Sequence, residues 1–340
     1  MTITMQELAD MAGVSRSTVD RALNNRGRVN RATKERICRL AETMGYEPDL
    51  AAKTLASKSK VFKIGCILNS GGNSFFNDVE EGIRSAAEEL SGFNIQVLTK
   101  AVDHLDVACQ LSTIEELVSE GIQALAITAL NTPEIAGKLN ELIASGIPVV
   151  ALTADITGVD YLCYVGCDHI RSGRITANMA GLIAGPSANI LFVLGSKSLL
   201  GHSRRLQGFE EVIHADYKQM SIVDVIETQD DDFIAYNKLY NFLSVHSDID
   251  LVVFSAGASN GGIRAITDLS CSCKIIAFDM TSHNRQYLED GIISCVLCQE
   301  PYMQGYQAVK LLSNYLLFGR RSTSNRYYTK TEIFVRNSLL

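Results

Sequence analysis

Apolar side chains recur at helical spacing in three short runs within the first 45 residues of the chain. Thr4 followed by Glu7 has the spacing of a capping box and predicts the start of the first helix, which Gly13 ends. Ser15 caps the second predicted helix, and Asn30 caps the third. The predicted inward positions are Met5, Leu8, Ala9, Ala12, Val19, Ala22, Leu23, Ile37, Leu40, Ala41 and Met44. The pattern therefore predicts three short amphipathic helices.

Beyond residue 60 the pattern changes to short, nearly continuous apolar runs separated by helical segments. The apolar runs are KIGCIL, IQVLT, ALAIT, PVVAL, ILFVLG, LVVFSA, KIIAF and ISCVLC, and helical segments such as VEEGIRSAAEEL, LSTIEELVSEG and RITANMAGLIA lie among them. Apolar strands joined by helical crossovers predict parallel sheets that are covered on both faces. Because about 280 residues exceed one comfortable core, we expect an α/β body of two doubly wound parallel-sheet halves.

These patterns divide the chain into three parts. Residues 1–47 form an all-α head, residues 48–60 a linker, and residues 61–340 the α/β body. In the linker, Pro48 stops the preceding helix, and Asp49 can cap the short run DLAAKTLA. A helix of that length is unstable alone, so we expect it to form only when it packs against another surface.

Charge is distributed unevenly between the head and the body. Residues 1–60 carry a net charge of +4 and residues 61–340 a net charge of −11, which together make the formal net charge of −7. Four arginines of the head lie in the run MAGVSRSTVDRALNNRGRV. A basic head on an acidic body indicates that the head alone meets a polyanion.

Two helices joined by the tight turn AGVS, with a third packed beneath them, form the helix-turn-helix arrangement. Its second helix would enter the major groove of DNA, where Arg16, Ser17 and Arg21 would face base edges. The stretch MQELADMAGVSRSTVDRALN resembles the DNA-binding head of the LacI/GalR family, whose members carry a similar AGVS-x-x-TVSRVLN stretch. Asp20 departs from the usual serine of that family and places an acidic group near phosphate. The alternative is a helical bundle that packs on the body or on a partner protein.

The resemblance extends into the linker, where GYEPDLAAKTLASKSK is similar to the hinge of that family. In the family hinge a short helix forms against DNA and a leucine wedges into the minor groove; by position that leucine is Leu55. The DNA-binding residues that the resemblance implies are Thr4, Ser15, Arg16, Ser17, Thr18, Arg21, Asn24, Arg28 and Leu55.

Ligands of doubly wound sheets bind beyond the carboxyl ends of the strands, so the cleft between two halves is the expected binding site. After the first body strand, Phe75 and Phe76 could stack on the apolar face of a sugar beside the amide of Asn73; the alternative is that both rings belong to the core. The body resembles the periplasmic ribose-binding-protein fold, which the LacI/GalR family uses as its effector domain. In that fold an Asn-x-Phe-Phe stretch lines the sugar site.

The same resemblance implies sugar contacts from three later segments. Arg205 matches an arginine that forks onto sugar hydroxyls, Asp279 matches a carboxylate after a late strand, and Gln299 matches an amide at the cleft. A sugar or polyol is therefore the expected effector.

Two places depart from the pattern of ribose binders. Those proteins carry Asp-Arg where this chain has Thr153-Ala154-Asp155, so Asp155 is expected to substitute beside Thr153 while one arginine is missing. They carry Asn where this chain has Gly257, and Asn260 is the expected replacement. Ribose itself is therefore not supported as the effector.

Composition excludes several other classes of protein. No stretch of about 18 apolar residues occurs, and MTITMQELAD lacks the pattern of a secretory signal, so we expect a cytoplasmic protein with no membrane partner. The nine scattered cysteines are expected to be reduced. Cys295 and Cys298 form a C-x-x-C in a strand-like run, without a second pair at zinc spacing. We therefore expect neither a metal nor a cofactor.

Enzyme motifs are also missing from the sequence. The turns GGNSFF and AGASNGG fit neither a dinucleotide-binding nor a P-loop pattern, and no G-x-S-x-G elbow occurs. His169 and His283 lie near expected cleft loops, but a lone histidine is more often structural. The sequence predicts a homodimeric transcriptional regulator, expected to be a repressor, whose affinity for a two-fold-symmetric operator is controlled by a sugar or polyol. The alternatives are a sugar-binding transport protein, which would lack such a head, and a Rossmann-like enzyme.

Overall fold

The computed structural model of the chain describes residues 4–23, 29–44, 61–69, 74–102 and 106–338. Its first three helices are α1 (Met5–Ala12), α2 (Arg16–Leu23) and α3 (Arg31–Thr43). They pack around a small core whose buried side chains are Leu8, Ala9, Ala12, Val19, Ala22 and Ile37. Helices this short depend on the shared core for their stability.

The predicted helix ends of the head are confirmed. Thr4 and Glu7 form a reciprocal capping box at the start of α1, and Gly13 ends that helix in the left-handed conformation, at φ 60°. The hydroxyl of Ser15 accepts a backbone N–H in the first turn of α2 at 3.2 Å. The side chain of Asn30 accepts one in the first turn of α3 at 2.9 Å. Local hydrogen bonds thus define where these helices begin.

Met44 is the exception among the predicted inward positions of the head. It lies beyond the end of α3, and its side chain is 42% exposed. The prediction was wrong because the helical period that placed Met44 inward no longer applies past Thr43. Arg36 links α3 to the end of α1, since its guanidinium donates to the carbonyl oxygen of Ala12 at 2.7 Å.

The first half of the body contains a six-stranded parallel sheet. Its strands are β1 (Phe62–Leu68), β2 (Ile95–Ala101), β3 (Ala124–Ile127), β4 (Val149–Leu152), β5 (Cys163–Cys167) and β11 (Arg326–Thr329). Its helices are α4 (Phe75–Glu89), α5 (Val107–Ser119), α6 (Pro133–Ala144) and α12 (Pro301–Phe318). The strand order is β11-β5-β4-β3-β1-β2.

The second half repeats this architecture. Its strands are β6 (Asn189–Leu194), β7 (Ser221–Glu227), β8 (Leu251–Phe254), β9 (Lys274–Phe278), β10 (Cys295–Cys298) and β12 (Glu332–Phe334). Its helices are α7 (His169–Ala184), α8 (Leu200–Asp216), α9 (Asp232–Leu243), α10 (Ser259–Asp268) and α11 (Ser282–Glu289). The strand order is β12-β10-β9-β8-β6-β7, and β12 is antiparallel to β10.

Each sheet is buried on both faces, which confirms the predicted doubly wound halves. In β1, Ile64 belongs to one buried cluster and Ile67 to another. In β6, Phe192 and Leu191 are divided between two clusters in the same way. Successive side chains of a strand point to opposite faces, so each sheet has a core on either side.

The chain passes between the two halves three times. It crosses from β5 to α7, from β10 back to α12, and from β11 to β12. Neither half is therefore a continuous segment, and the two are joined at three places.

Helices α7 and α8 approach so closely that their contact requires glycine. A Cβ atom on Gly173 would lie 2.1 Å from the carbonyl oxygen of Arg205, and one on Gly208 would lie 2.0 Å from that of Ile170. Both distances are far inside van der Waals contact, so a larger residue would force the helices apart. This close packing determines how α8 presents Arg205 to the cleft.

Candidate ligand cleft and DNA-binding face

The carboxyl ends of strands from both halves meet at a cleft that contains a cavity of about 50 Å³. The first half contributes Phe75, Phe76, Thr128, Thr153 and Ala154 to its lining. The second half contributes His169, Leu199, Gly201, His202, Arg205, Asp230, Ala256, Gly257, Asp279 and Gln299. The structure thus brings together six of the predicted effector residues, namely Phe75, Phe76, Thr153, Arg205, Asp279 and Gln299. The predicted Asn73 lies outside the described residues.

Arg205, Gln299 and Asp279 form a hydrogen-bonded chain along the second half of the cleft. The Nη2 atom of Arg205 donates to Gln299 Oε1 at 2.8 Å, and Gln299 Nε2 donates to both Asp279 oxygens at 3.0 and 3.1 Å. The Nη1 atom of Arg205 donates to the carbonyl oxygen of Ser255 at 2.5 Å, and its guanidinium lies 4.3 Å from the ring centroid of Phe278. The guanidinium is thus held rigidly in place.

One donor of this buried guanidinium remains uncommitted. Arg205 is 3% exposed, and its Nε has no hydrogen-bond partner in the described part of the chain. A buried donor without an acceptor is costly, and a ligand oxygen would relieve that cost.

Asp279 is a buried carboxyl group with an unusual protonation equilibrium. Burial raises its pKa to about 6, although the Arg205 charge and the hydrogen bonds from Gln299 act in the opposite direction. Its backbone adopts the left-handed conformation, at φ 64°. A non-glycine residue in this region is sparsely populated, which is typical of residues held for a functional purpose.

Phe75 and Phe76 occupy the first turn of α4 and satisfy both sequence alternatives. Their rings meet edge to face, with centroids 5.2 Å apart. Each is less than a tenth exposed and packs in a buried cluster of the first half, while each also lines the cavity. The rings therefore form part of the core and also an apolar wall of the cleft.

Thr153 and His169 join the two halves at the base of the cleft. Thr153 is at φ 61°, and its hydroxyl lies 3.1 Å from that of Thr128. The Nε2 atom of His169 donates to the Thr153 carbonyl oxygen at 2.9 Å, so Nδ1 is the acceptor that faces the Cys167 thiol at 3.2 Å. Burial and the nearby Arg205 charge hold the pKa of His169 well below its usual value. His169 is thus neutral and structural, as the sequence interpretation favoured.

Two titratable side chains of the cavity lining, His202 and Asp230, were missed by sequence reasoning. His202 Nδ1 accepts the backbone N–H of Ser196 at 3.1 Å, and burial together with the Arg205 charge lowers its pKa to about 3. Its position one helical turn before Arg205 was the only available signal. Asp230 follows β7, a strand that the sequence pattern did not predict. The pattern therefore did not indicate that Asp230 lies just after the end of a strand.

Asp155 was predicted to contact the effector, but the structure places it outside the cavity lining. Its Oδ2 accepts from Arg204 at 2.5 Å and from Arg326 at 2.8 Å, while its Oδ1 accepts from the Tyr161 hydroxyl at 2.7 Å. The prediction was wrong on placement because two arginines from distant segments already engage this carboxylate. Burial alone would raise the pKa of Asp155, but hydrogen bonds from Tyr161, Arg326 and Arg204 lower it overall.

Asn260 likewise lies beside the main cavity instead of in it. It lines an adjoining cavity of about 140 Å³ that shares Gly257 and Asp279 with the first. Its amide donates to Asp232 at 3.1 Å and accepts from the Tyr287 hydroxyl at 2.9 Å. Both ends of the side chain are therefore engaged within the second half.

The outward face of α2 has the predicted composition. Val19 and Ala22 are buried, whereas Arg16, Ser17 and Arg21 are exposed. The Nε atom of Arg21 donates to the carbonyl oxygen of Ser17 at 3.1 Å, and Nη2 donates to the Thr18 hydroxyl at 3.3 Å. The guanidinium thus lies along the exposed face of the helix.

The remaining predicted DNA-binding residues differ in what the structure says of them. The hydroxyls of Thr4 and Ser15 are engaged in capping their helices. Asn24, Arg28 and Leu55 lie outside the described residues.

The described residues hold neither a cluster suited to a metal ion nor a helix suited to crossing a membrane. Nowhere in that part of the chain do three or more His, Cys, Asp or Glu side chains cluster in a way that could hold a metal ion. No helix there combines the length and apolar character that a membrane crossing needs.

Comparison with known proteins matches both parts of the chain. Residues 4–49 match the family of bacterial regulatory proteins of the lacI type, and residues 64–320 match the periplasmic binding protein domain. The chain is 26% identical over 330 residues to the catabolite control protein A of Priestia megaterium, a match that covers 93% of each protein. It is 26% identical over 215 residues to the transcriptional regulator DegA of Bacillus subtilis, covering 63% of this chain and 61% of DegA.

A solved structure shows the fold of the body independently. GanP, a glucose-galactose binding protein from Geobacillus stearothermophilus, superimposes with a TM-score of 0.76 at 22% identity. The match covers 82% of this chain and 99% of GanP. The body therefore has the fold of the periplasmic sugar-binding proteins.

Proposed function

We propose the function of this chain from its family, because it belongs to the lacI family of DNA-binding transcriptional regulators, whose body has the periplasmic binding protein fold. A sugar or polyol bound between the two halves of the body controls the affinity of the head for operator DNA, and repression is the expected mode. The observation that carries this proposal is the chain Arg205–Gln299–Asp279, which faces the rings of Phe75 and Phe76 across one cavity.

The chemistry of the cavity favours a neutral, hydroxyl-rich ligand. The hydroxyl groups of a sugar both donate and accept hydrogen bonds. Asp279 can accept from them, and Arg205 can donate to them. The phenylalanine rings can cover the apolar C–H face of a sugar ring. GanP, which shares this fold, is a glucose-galactose binding protein, and this supports a sugar as the class of ligand.

The head is proposed to contact DNA through α2 and the linker. Exposed Arg16, Ser17 and Arg21 are long or polar side chains of the kind that reach base edges and phosphates. The predicted division at residues 1–47, 48–60 and 61–340, with Leu55 as the minor-groove wedge, is retained as part of this proposal. Action on DNA also places the protein in the cytoplasm.

We further propose that the protein acts as a homodimer on a two-fold-symmetric operator. Helix α9 of the body supports this, because Phe233 is 78% exposed and Tyr240 38% exposed on it, and Val245 just beyond it is 76% exposed. Exposed apolar groups on one helix face are typical of an interface with a second copy. Analytical ultracentrifugation at micromolar concentration tests this, since a monomer would contradict it.

The family is regulatory and sugar-binding, and no catalytic role is proposed for the cleft. The two histidines that line it, His169 and His202, are engaged in hydrogen bonds with the backbone. The head distinguishes the chain from a transport binding protein, which needs only the body.

Calorimetric titration of the full chain with pentoses, hexoses and inositols tests the effector assignment. We expect one class to bind, and Arg205→Ala to weaken that binding at least a hundredfold, because a charge-assisted hydrogen bond to the ligand is lost and Gln299 loses the donor that orients it. Arg174→Ala is the matched control, since Arg174 pairs with Glu211 on the surface of the same half at 2.7 Å. Binding of a nucleotide or amino acid in place of every sugar tested would contradict the assignment.

A further inference from the structure

Residues 198–204, here called the latch segment, extend from the second half and contact the first half beside the cavity. The backbone N–H of Asn131, in the loop after β3, donates to the carbonyl oxygen of Ser198 at 3.0 Å. Leu199 is 6% exposed and packs within a buried apolar cluster of the first half. Arg204 donates to Asp155 of the first half at 2.5 Å. One short segment thus makes a backbone, an apolar and an ionic contact with the opposite half.

The carboxylate that Arg204 contacts is held in position by residues of the first half. Asp155 is 2% exposed, and its carboxylate is oriented by the Tyr161 hydroxyl at 2.7 Å and by the backbone N–H of Ile156 at 2.8 Å. Arg326, which belongs to β11 of the first half, donates to the same Oδ2 atom as Arg204. Because the carboxylate is held in place, Arg204 gains its ion pair without having to order its partner.

The latch segment is continuous with the ligand-binding surface. Leu199, Gly201 and His202 line the cavity, and Arg204 directly precedes Arg205 in α8. Adjacent residues of a helix point about 100° apart, so Arg204 can face Asp155 while Arg205 faces Gln299. A movement of this helical turn that separates Arg204 from the first half therefore also displaces Arg205.

We propose that the latch segment holds the two halves together through these contacts and that Arg204 is a positioning residue for effector binding. The contacts are made within the chain itself, so they favour the closed arrangement before an effector adds its own contacts. The expected effect on effector affinity rests on the proposed function. The contacts of the latch segment between the two halves do not depend on that function. A latch that keeps the cleft closed raises the apparent affinity, because a larger fraction of molecules is competent to bind.

Hydrogen exchange on the full chain tests the latch without any ligand. The amide of Asn131 is the probe, because its acceptor lies across the cleft, and the amide of Leu125, whose acceptor Pro148 lies within the first half, is the reference. Arg204→Ala and Leu199→Ala should each accelerate exchange at Asn131 about tenfold and leave Leu125 unchanged. Arg204→Lys should retain much of the protection.

Arg326→Ala is the matched control, because it removes an ion pair to the same carboxylate oxygen but within one half. It should change exchange at Asn131 less than twofold. The proposal is overturned if Arg204→Ala leaves Asn131 as protected as in the wild type, or if Arg326→Ala exposes it equally. Once an effector is identified, Arg204→Ala should weaken its binding about tenfold. Absence of any sugar binding would contradict the proposed function alone, since the exchange result is independent of it.

Discussion

At the scale of single residues, the cleft is a rigid arrangement of groups that come from distant parts of the chain. Arg205, Gln299 and Asp279 orient one another through hydrogen bonds of 2.8 to 3.1 Å. Such an arrangement binds without first paying to order its side chains. Asp279 also carries a testable electrostatic signature, because burial raises its pKa to about 6.

This raised pKa predicts how Asp279 affects stability as pH changes. Between the ordinary pKa of Asp and about 6, the folded protein binds more protons at this site than the unfolded chain, so the contribution of Asp279 to stability falls as pH rises. The side-chain amide of the Asp279→Asn variant does not titrate, so the variant lacks this decrease in stability with rising pH. The free energy of unfolding of the variant, relative to the wild type, should therefore increase by about 2 kcal/mol between pH 4 and pH 7.

Denaturant titrations of both proteins at each pH measure this difference. The comparison must be between the two proteins, because the neutral histidines His169 and His202 act in the opposite direction. Their pKa values are lowered in the fold, so their contribution is complete above the ordinary pKa of His and is lost as pH falls. A difference between variant and wild type that does not change with pH would show that Asp279 titrates normally.

Sequence patterns indicated side chains that share the cleft where these lie near the ends of strands or helices, but not where distant charges meet. Asp279 and Gln299 directly follow β9 and β10, Arg205 lies near the start of α8, and the structure brings the three together, while their contact with an effector stays a prediction. Asp155 also follows a strand, but nothing local in the sequence indicates that Arg204 and Arg326 engage it. Long-range pairing of this kind depends on how the two halves are placed, which no local pattern contains.

At the scale of elements, helix α8 is the part of the fold that positions the site. It carries His202, Arg204 and Arg205, and it lies against α7 at a distance that only glycine allows at Gly173 and Gly208. The packing of these two helices therefore sets the geometry of the cavity as well as the stability of the second half.

Gly173→Ala should disturb both properties. The added methyl group would meet the Arg205 carbonyl oxygen at 2.1 Å, so α8 must shift, at a cost of about 1–3 kcal/mol. Effector affinity should fall with it, because Arg205 moves. Gly137→Ala in α6 is the matched control, since no atom lies within 4 Å of the added carbon, and it should stabilise the fold by up to about 1 kcal/mol. Thermal unfolding and calorimetric titration of both variants check this, and equal behaviour of the two would contradict it.

Strands were predictable from sequence where they form an uninterrupted apolar run, and burial alone was not sufficient, since β5 is buried throughout and was not predicted. All eight continuous apolar runs became strands, because a strand covered on both faces has no polar positions to interrupt it. The four strands that the pattern did not predict are β5, β7, β11 and β12. Three of them are edge strands, and in β7 only Ile226 is buried. β11 pairs with β5, far earlier in the chain, and β12 pairs with β10 across an intervening helix and strand, so their neighbours could not be inferred from local sequence.

At the scale of the whole molecule, the proposed function requires that ligand binding in the cleft changes DNA binding by the head. The two halves are joined by three crossings, a connection that is compatible with hinge closure around a ligand. The match to the lacI family indicates that the head binds DNA. The residues that line the cavity favour a hydroxyl-rich ligand as the signal. Suppose that the arrangement of the halves determines the arrangement of the heads. A ligand that prefers one arrangement then changes the affinity for DNA, and DNA changes the affinity for the ligand by the same factor.

The operator affinity of the full chain, measured by fluorescence anisotropy with and without the sugar or polyol that binds its body, tests this claim most directly. An operator-containing duplex is first selected from genomic fragments by the protein itself. The account predicts that saturating ligand changes the operator dissociation constant of the wild type at least tenfold. The account also predicts that Arg205→Ala binds the duplex as the wild type does but no longer responds to ligand. An operator affinity that is the same with and without bound ligand would contradict it.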